Sequence, residues 1–308
     1  MFVYAVIAFF SGLFLFALIN GMYKNTRYYA AKFGEVEKFK NIPVNLEMVN
    51  LGSNHAKYGF NYNCLGVNGF NFALGPQYPW YDFAILRTYA RHLKKGCHVL
   101  IVLPAAIFCC GENSWATDKY YHFLPRKTIK DFSWMKKIGA LFPLLEHPSQ
   151  VRRLIKDVGI EGPVENTRAH SEKEAIARRD GWVKQFGLID MVSSNFSEEV
   201  LRQFGKSVAI VSQMIDFCLE HGFRPVLVIP PASASLQKIL GEEFLRVALY
   251  ENIKKANARN VPVLDYLHDE RFSDFSMYAN SDFLNESGAV LFTRAVYTDI
   301  KWLSSRYV

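Results

Sequence analysis

Cysteine is scarce in this chain, with five in 308 residues. They stand at Cys64, Cys97, Cys109, Cys110 and Cys218, too few and too scattered for a disulfide scaffold. No CxxC and no Cys/His cluster marks a structural zinc, so no metal site is expected. Glycine-rich phosphate loops are missing as well: neither a P-loop nor a dinucleotide fingerprint occurs, and no cofactor is expected. No fixed period repeats, which excludes a solenoid. Charged residues make up only 21% of the chain, and from Met1 to Tyr23 there are none. The net charge is +7, but no recognised nucleic-acid motif accompanies it, and a nucleic-acid partner is not expected.

What the sequence has instead is apolar residues, at 50%, and many stand at the front. Phe2 to Ile19 is almost continuously apolar, and about 18 to 20 such residues span a bilayer as a helix. Tyr23, Lys24 and Arg27 suit interfacial anchors. A cleaved signal peptide fits less well, because a basic n-region and an A-x-A-like site are both missing. Residues 1–23 are therefore read as a transmembrane anchor in contact with membrane lipid, and 24–45 as a juxtamembrane linker. The cations Lys24, Arg27, Lys32, Lys38 and Lys40 all follow the segment. Alone, the positive-inside rule would put the C-terminal body in the cytoplasm.

Beyond the linker, short apolar strands alternate with amphipathic helices. Strands are expected at Leu46–Leu51, Cys97–Leu103, Pro225–Ile229 and Val261–Leu264. Pro79–Lys95 reads as a helix stopped by Gly96. Ser197 caps a long helix with an apolar stripe of Val200, Phe204, Val208, Val211, Ile215 and Leu219. A further helix covers about Leu236–Arg259. A last one runs from about Glu286, with Ala289, Phe292, Val296, Ile300 and Leu303 on one face. This alternation predicts an α/β fold, a mainly parallel sheet with helices on both faces. Ligands of such sheets bind beyond the carboxyl ends of the strands. Residues 46–308 form this domain, with a helical insertion or lid at about 105–196. The insertion carries basic and aromatic clusters (Lys119 to His122, Arg126, Lys127, Lys136, Lys137, Arg152 and Arg153). An anionic glycan, lipid headgroups or plain solvent would each suit them.

Two segments carry chemistry together. Asn50-Leu51-Gly52-Ser53-Asn54-His55-Ala56-Lys57-Tyr58-Gly59-Phe60-Asn61 follows the first strand, and Asn280-Ser281-Asp282-Phe283-Leu284-Asn285-Glu286-Ser287-Gly288-Ala289 leads into the last helix. They resemble the first and last blocks of the SGNH/GDSL hydrolase superfamily. The closer likeness is to its membrane-anchored bacterial branch, which includes surface proteins of teichoic-acid D-alanylation and exopolysaccharide O-acetylation. The stretch from Phe70 to Gln77 resembles the block bearing that family's oxyanion glycine, here Gly75. The resemblance implies a flavodoxin-like three-layer domain on the outer side of the membrane. It also implies a cell-surface glycan as ligand and a membrane-bound O-acyltransferase as partner.

An ester hydrolase needs a hydroxyl nucleophile, a histidine base, an orienting aspartate and oxyanion donors. In the family's register these catalytic positions fall on Asn54, Phe283 and Asn280. An amide cannot accept the acyl group and a phenyl ring cannot take a proton, so the usual chemistry is absent. The expected protein is hydrolase-like and catalytically impaired. The alternative is an active surface esterase or O-acyltransferase using Ser53 with a rearranged base, His55 or His268. Ser53 also suits a turn hydroxyl bonded to backbone. Gly52, Gly75 and Asp282 are the remaining oxyanion or ligand-binding candidates, with tight turns and a helix cap as their plainer roles. A Cys109 or Cys110 nucleophile has no identifiable base beside it.

Overall fold

A computed structural model describes residues 1–111, 117–156 and 172–306. They divide into two compact units. One joins residues 1–42 with 117–156, and the other joins 43–111 with 172–306. Of the expected insertion, residues 117–156 cluster with the N-terminal segment, while 105–111 and 172–196 belong to the sheet unit.

In the first unit, helix α1 (Phe2–Lys24) is long and apolar enough to cross a membrane, and its most apolar stretch is wholly unburied. Thr26 ends it, donating its hydroxyl to Tyr23 O (2.7 Å) and accepting from Tyr29 N (3.2 Å). That cap starts the short helix Arg27–Phe33. Tyr23, Tyr29 and Leu144 form a small buried cluster against which Phe16, Ile19, Tyr28, Phe33 and Leu154 pack.

The second unit is built on five parallel strands: β1 (Leu46–Leu51), β2 (Gly69–Asn71), β3 (Leu93–Val102), β4 (Arg224–Ile229) and β5 (Val263–Asp265). Their order is β2-β1-β3-β4-β5, so the winding reverses between β1 and β3. β1 and β4 are mostly apolar because both their faces are covered; Glu47, half-buried, and the buried Asn50 interrupt β1, and exposed Arg224 opens β4. Met48, Leu100, Val102, Val226 and Val228 project to one face, where the last helix supplies Phe292, Ala295, Val296 and Ile300. Alternate residues (Val49, Leu51, Val99, Ile101, Leu227 and Ile229) point the other way. The helices that position the rim are α2 (Asn54–Gly59), α3 (Pro79–Tyr89), α4 (Glu172–Phe186), α5 (Glu198–Glu220) and α6 (Glu286–Arg306). α5 packs on α3 and β4.

Three local expectations are corrected. The helix from Pro79 ends at Tyr89, and Gly96 is no helix stop. It lies inside β3 at φ 80°, where the β1–β3 register slips between Leu46↔Leu93 and Met48↔His98. A glycine in that conformation serves a bulge as readily as a helix end. The helix expected over Leu236–Arg259 breaks into short pieces around Gly241, whose N–H donates to Met191 O at 2.9 Å. A Cβ at Gly241 would sit 2.3 Å from Val192 O, so the backbones cross there. The last strand is Val263–Asp265, two residues later than its apolar pattern suggests.

Candidate functional site

The site is assembled at the carboxyl end of β1, beside the point where the strand order reverses. Gly52 makes the turn at φ 134°. A Cβ there would meet Ala56 Cβ at 2.9 Å and Val102 Cβ at 3.2 Å, so only glycine fits both the conformation and the space. Its N–H donates to Asp82 Oδ1 (2.7 Å), while Gln77 Nε2 donates to Gly52 O (3.1 Å) and to Asp82 Oδ1 (2.5 Å). Gln77 and Asp82 are both buried, so the turn is pinned by an internal polar network.

A second network holds α2. Asn71, at the end of β2, donates Nδ2 to the carbonyls of Ala56, Lys57 and Phe60, each at 3.1 Å. Its Oδ1 accepts from Asn50 Nδ2 (2.8 Å) and Ala73 N (3.0 Å). These bonds satisfy carbonyls that a helix end otherwise leaves open.

α2 therefore presents its first residues at fixed places. Ser53, the residue before it, accepts Gln77 N at 3.0 Å through Oγ, and that hydroxyl caps no helical N–H. Asn54 lays its carboxamide against Gly75: a Cβ at Gly75 would lie 1.9 Å from Asn54 Oδ1. His55 points to the other side, with Nε2 2.5 Å from Asp282 Oδ1. Asp282 is 2% exposed, and Arg178 Nε stands 3.7 Å from its Oδ2. Neither carboxylate oxygen receives a well-directed hydrogen bond, so both contacts are close approaches, not aligned hydrogen bonds.

The loop before α6 completes the site. Asn280 Oδ1 accepts from Asp282 N and Phe283 N, both at 2.9 Å, so its amide shapes the turn. Phe283 stacks on Tyr58 (5.3 Å between centroids), meets the His55 ring edge-on (5.2 Å) and lies under the Arg178 guanidinium (5.3 Å). Asn285 caps α6 through Oδ1 to Gly288 N at 3.0 Å, the helix-start role that its position suggests.

Ser53, Asn54, His55, Gly75, Asn280, Asp282 and Phe283 thus belong to one neighbourhood of the rim. His268 pairs elsewhere. It is exposed, and its Nδ1 lies 2.9 Å from Gln237 Oε1. The thiols are unsuited to attack. Burial pushes Cys110 up to about 12, with Asp82 adding to the rise, and holds Cys109 higher still. Among the described residues no histidine hydrogen-bonds to Ser53, and no three His, Cys, Asp or Glu side chains converge on a metal position.

Several participants escaped the sequence reading: Tyr58, Gln77, Asp82, Glu174, Arg178 and Trp182. Three of them carry a signal. Glu174, Arg178 and Trp182 recur every four residues along α4, a spacing that puts them on one helical face. From that face Arg178 reaches Asp282, Glu174 Oε2 accepts Ser281 N (2.8 Å), and Trp182 lies 6.2 Å from the His55 ring. Gln77 and Asp82 gave no comparable signal, since a buried amide–carboxylate pair has no period to betray it.

The chain matches no protein-family model and no curated protein sequence.

Proposed function

We propose that this chain is a membrane-anchored, SGNH/GDSL hydrolase-like protein that holds an acylated cell-surface glycan without cleaving it. In this reading α1 crosses the membrane once, the flavodoxin-like sheet domain faces the extracytoplasmic side, and a membrane-bound O-acyltransferase is the working partner. The strand order β2-β1-β3-β4-β5 supports a site at the β1 rim. The observation that supports a loss of catalysis is that the Asn54 amide occupies the space over Gly75 while the phenyl ring of Phe283, the base position in the family's register, packs against Tyr58 and His55. His55 and Arg178, held in place by the buried Asp282 carboxylate, supply polar recognition for sugar hydroxyls, and Phe283, Tyr58 and Trp182 supply apolar area for an acyl or ring face.

The test uses the full chain in detergent micelles with p-nitrophenyl acetate and a fluorophosphonate probe. The native chain stays unlabelled. The combined Asn54→Ser, Asn280→Asp and Phe283→His variant restores nucleophile, orienting acid and base in the family's register, and gains labelling. Retained binding to O-acetylated polysaccharide, weakened by Asp282→Asn, completes the expected pattern. Extracytoplasmic placement predicts that protease added to intact cells cuts the sheet domain; full protection sinks that assignment.

A second reading has one observation in its favour. The His55–Asp282 contact beside Ser53 has the composition of a base with its orienting acid. Fluorophosphonate labelling of the native chain that disappears in Ser53→Ala would establish an active esterase or O-acyltransferase and overturn the non-cleaving reading.

A further inference from the structure

The first unit displays apolar side chains that do not belong to α1. The helix Trp134–Leu141 starts at Ser133, whose Oγ accepts Lys136 N. Trp134 (61%), Met135 (83%), Ile138 and Leu141 are exposed along it, and Phe142 and Leu145 continue the surface beyond its end. Scattered single apolar residues on a surface need no explanation, but six within one short hairpin do.

Asn20 ties this hairpin to α1. Although it sits in an apolar helix, Asn20 is only 4% exposed. Its Nδ2 donates to Leu141 O (3.2 Å), and its Oδ1 accepts Leu144 N (3.3 Å). One helical turn earlier, Phe16 packs on Phe142 at 6.1 Å. With a rise of about 1.5 Å per residue, Asn20 and Phe16 lie roughly 6 Å and 12 Å inside the Lys24 end of α1. The turn after Trp134–Leu141 is therefore fastened to α1 well within its apolar length.

We propose that the hairpin from Trp134 to Leu145 is itself embedded in the bilayer, at the headgroup–acyl boundary around the Lys24 end of α1. Its exposed apolar face takes lipid as its occupant. Amphipathic helices in that position sink about 5–10 Å, which agrees with the depth set by Asn20 and Phe16. Backbone that leaves the helical path at this depth must be satisfied internally, and the Asn20 amide does so for Leu141 O and Leu144 N. Basic groups stand beside the apolar face: the Arg126 guanidinium lies 5.2 Å from the Trp134 ring, Lys127 is exposed, and Lys137 Nζ donates to Tyr121 O. They suit anionic lipid phosphates. The inference rests on the reading that α1 spans the membrane.

The full chain reconstituted into nanodiscs of phosphatidylcholine and phosphatidylglycerol tests both separately. Brominated lipid, labelled near the top of the acyl chain, and aqueous acrylamide are the two quenchers, and the difference between native and Trp134→Phe protein isolates Trp134. Embedding predicts that brominated lipid removes most of the Trp134 emission while acrylamide leaves it. A tryptophan placed by Ile138→Trp in the Trp134→Phe background should behave likewise. Quenching by acrylamide alone means a solvent-facing hairpin, and protection from both quenchers means burial within the chain or against a second copy of it; either result overturns the inference while leaving α1 untouched. Release of the chain by alkaline carbonate overturns the membrane reading of α1, and this inference with it.

Discussion

The two units treat the same kinds of side chain in opposite ways. In the sheet unit Val49, Leu51 and Phe292 are hidden completely, each between a strand and a covering layer. In the N-terminal unit Phe9, Phe14 and Leu18 stand exposed on α1, and Trp134 and Met135 stand exposed on the hairpin beside it. The sheet unit thus supplies its own apolar surroundings, and the other unit leaves these side chains uncovered. A chain with 50% apolar residues can therefore carry two distinct solutions to one composition.

The contrast breaks most visibly at Phe292, which contacts Phe60, Tyr266 and Phe272 at 5.1 to 5.5 Å between rings. Phe292→Ala should cost about 3–5 kcal/mol in chemical denaturation of the sheet unit, because a fully enclosed ring leaves a cavity. Gly52→Ala should cost about 3 kcal/mol, the sum of a positive-φ strain and a collision with Ala56 and Val102. Its loss should not be relieved by trimming side chains, since Val102 O also stands within 3.4 Å of the new methyl.

A pH titration sharpens the comparison from the other side. Burial, then Lys24 and Lys137, hold His122 down to about 4, and the opposing pull of Glu37 is weaker. The unfolded chain takes up a proton at His122 near pH 6.5 and the folded unit only near pH 4, so the contribution of neutral His122 to the stability of the N-terminal unit is fully present above pH 6.5. It is lost as pH falls from there towards 4. The loss should reach about 2 kcal/mol after allowance for partial exposure, and His122→Gln should flatten the profile. Smallest of all, Met135→Ser should change stability in detergent by about 0.5 kcal/mol or less, because no protein core surrounds that side chain.

How far the sequence revealed these features depends on how local their causes are. Leu46–Leu51 is legible to the residue, since a strand covered on both faces is mostly apolar even with Glu47 and Asn50 in it. Ser197 likewise marks the start of α5, with its Oγ accepting Val200 N. The stripe on α5 is less faithful: Val208 is half-buried and Leu219 exposed, while Gln203 and Ser207 lie inside. Gly69–Asn71 shows no strand signal at all, because three residues carry no period, and its pairing with β1 is decided by distant chain. Gly96 was legible as a positive-φ residue and ambiguous as to which element needed it. At the site, the residues of the turn and of the α6 approach are visible in sequence because they sit in contiguous blocks. Arg178 and Glu174 come from α4, more than a hundred residues before Asp282 and Ser281, and no local pattern joins them.

Asn20 carries a consequence of its own. An apolar helix has no intrinsic preference for how deep it sits or which way it faces, since one greasy side resembles another. A single carboxamide gripping Leu141 O and Leu144 N removes both freedoms. Sliding the helix by one residue turns it through about 100° and pulls the amide away from both partners. Asn20 is in effect a ruler and a compass for α1, fixing how far along the helix the hairpin stands and which side of the helix it meets.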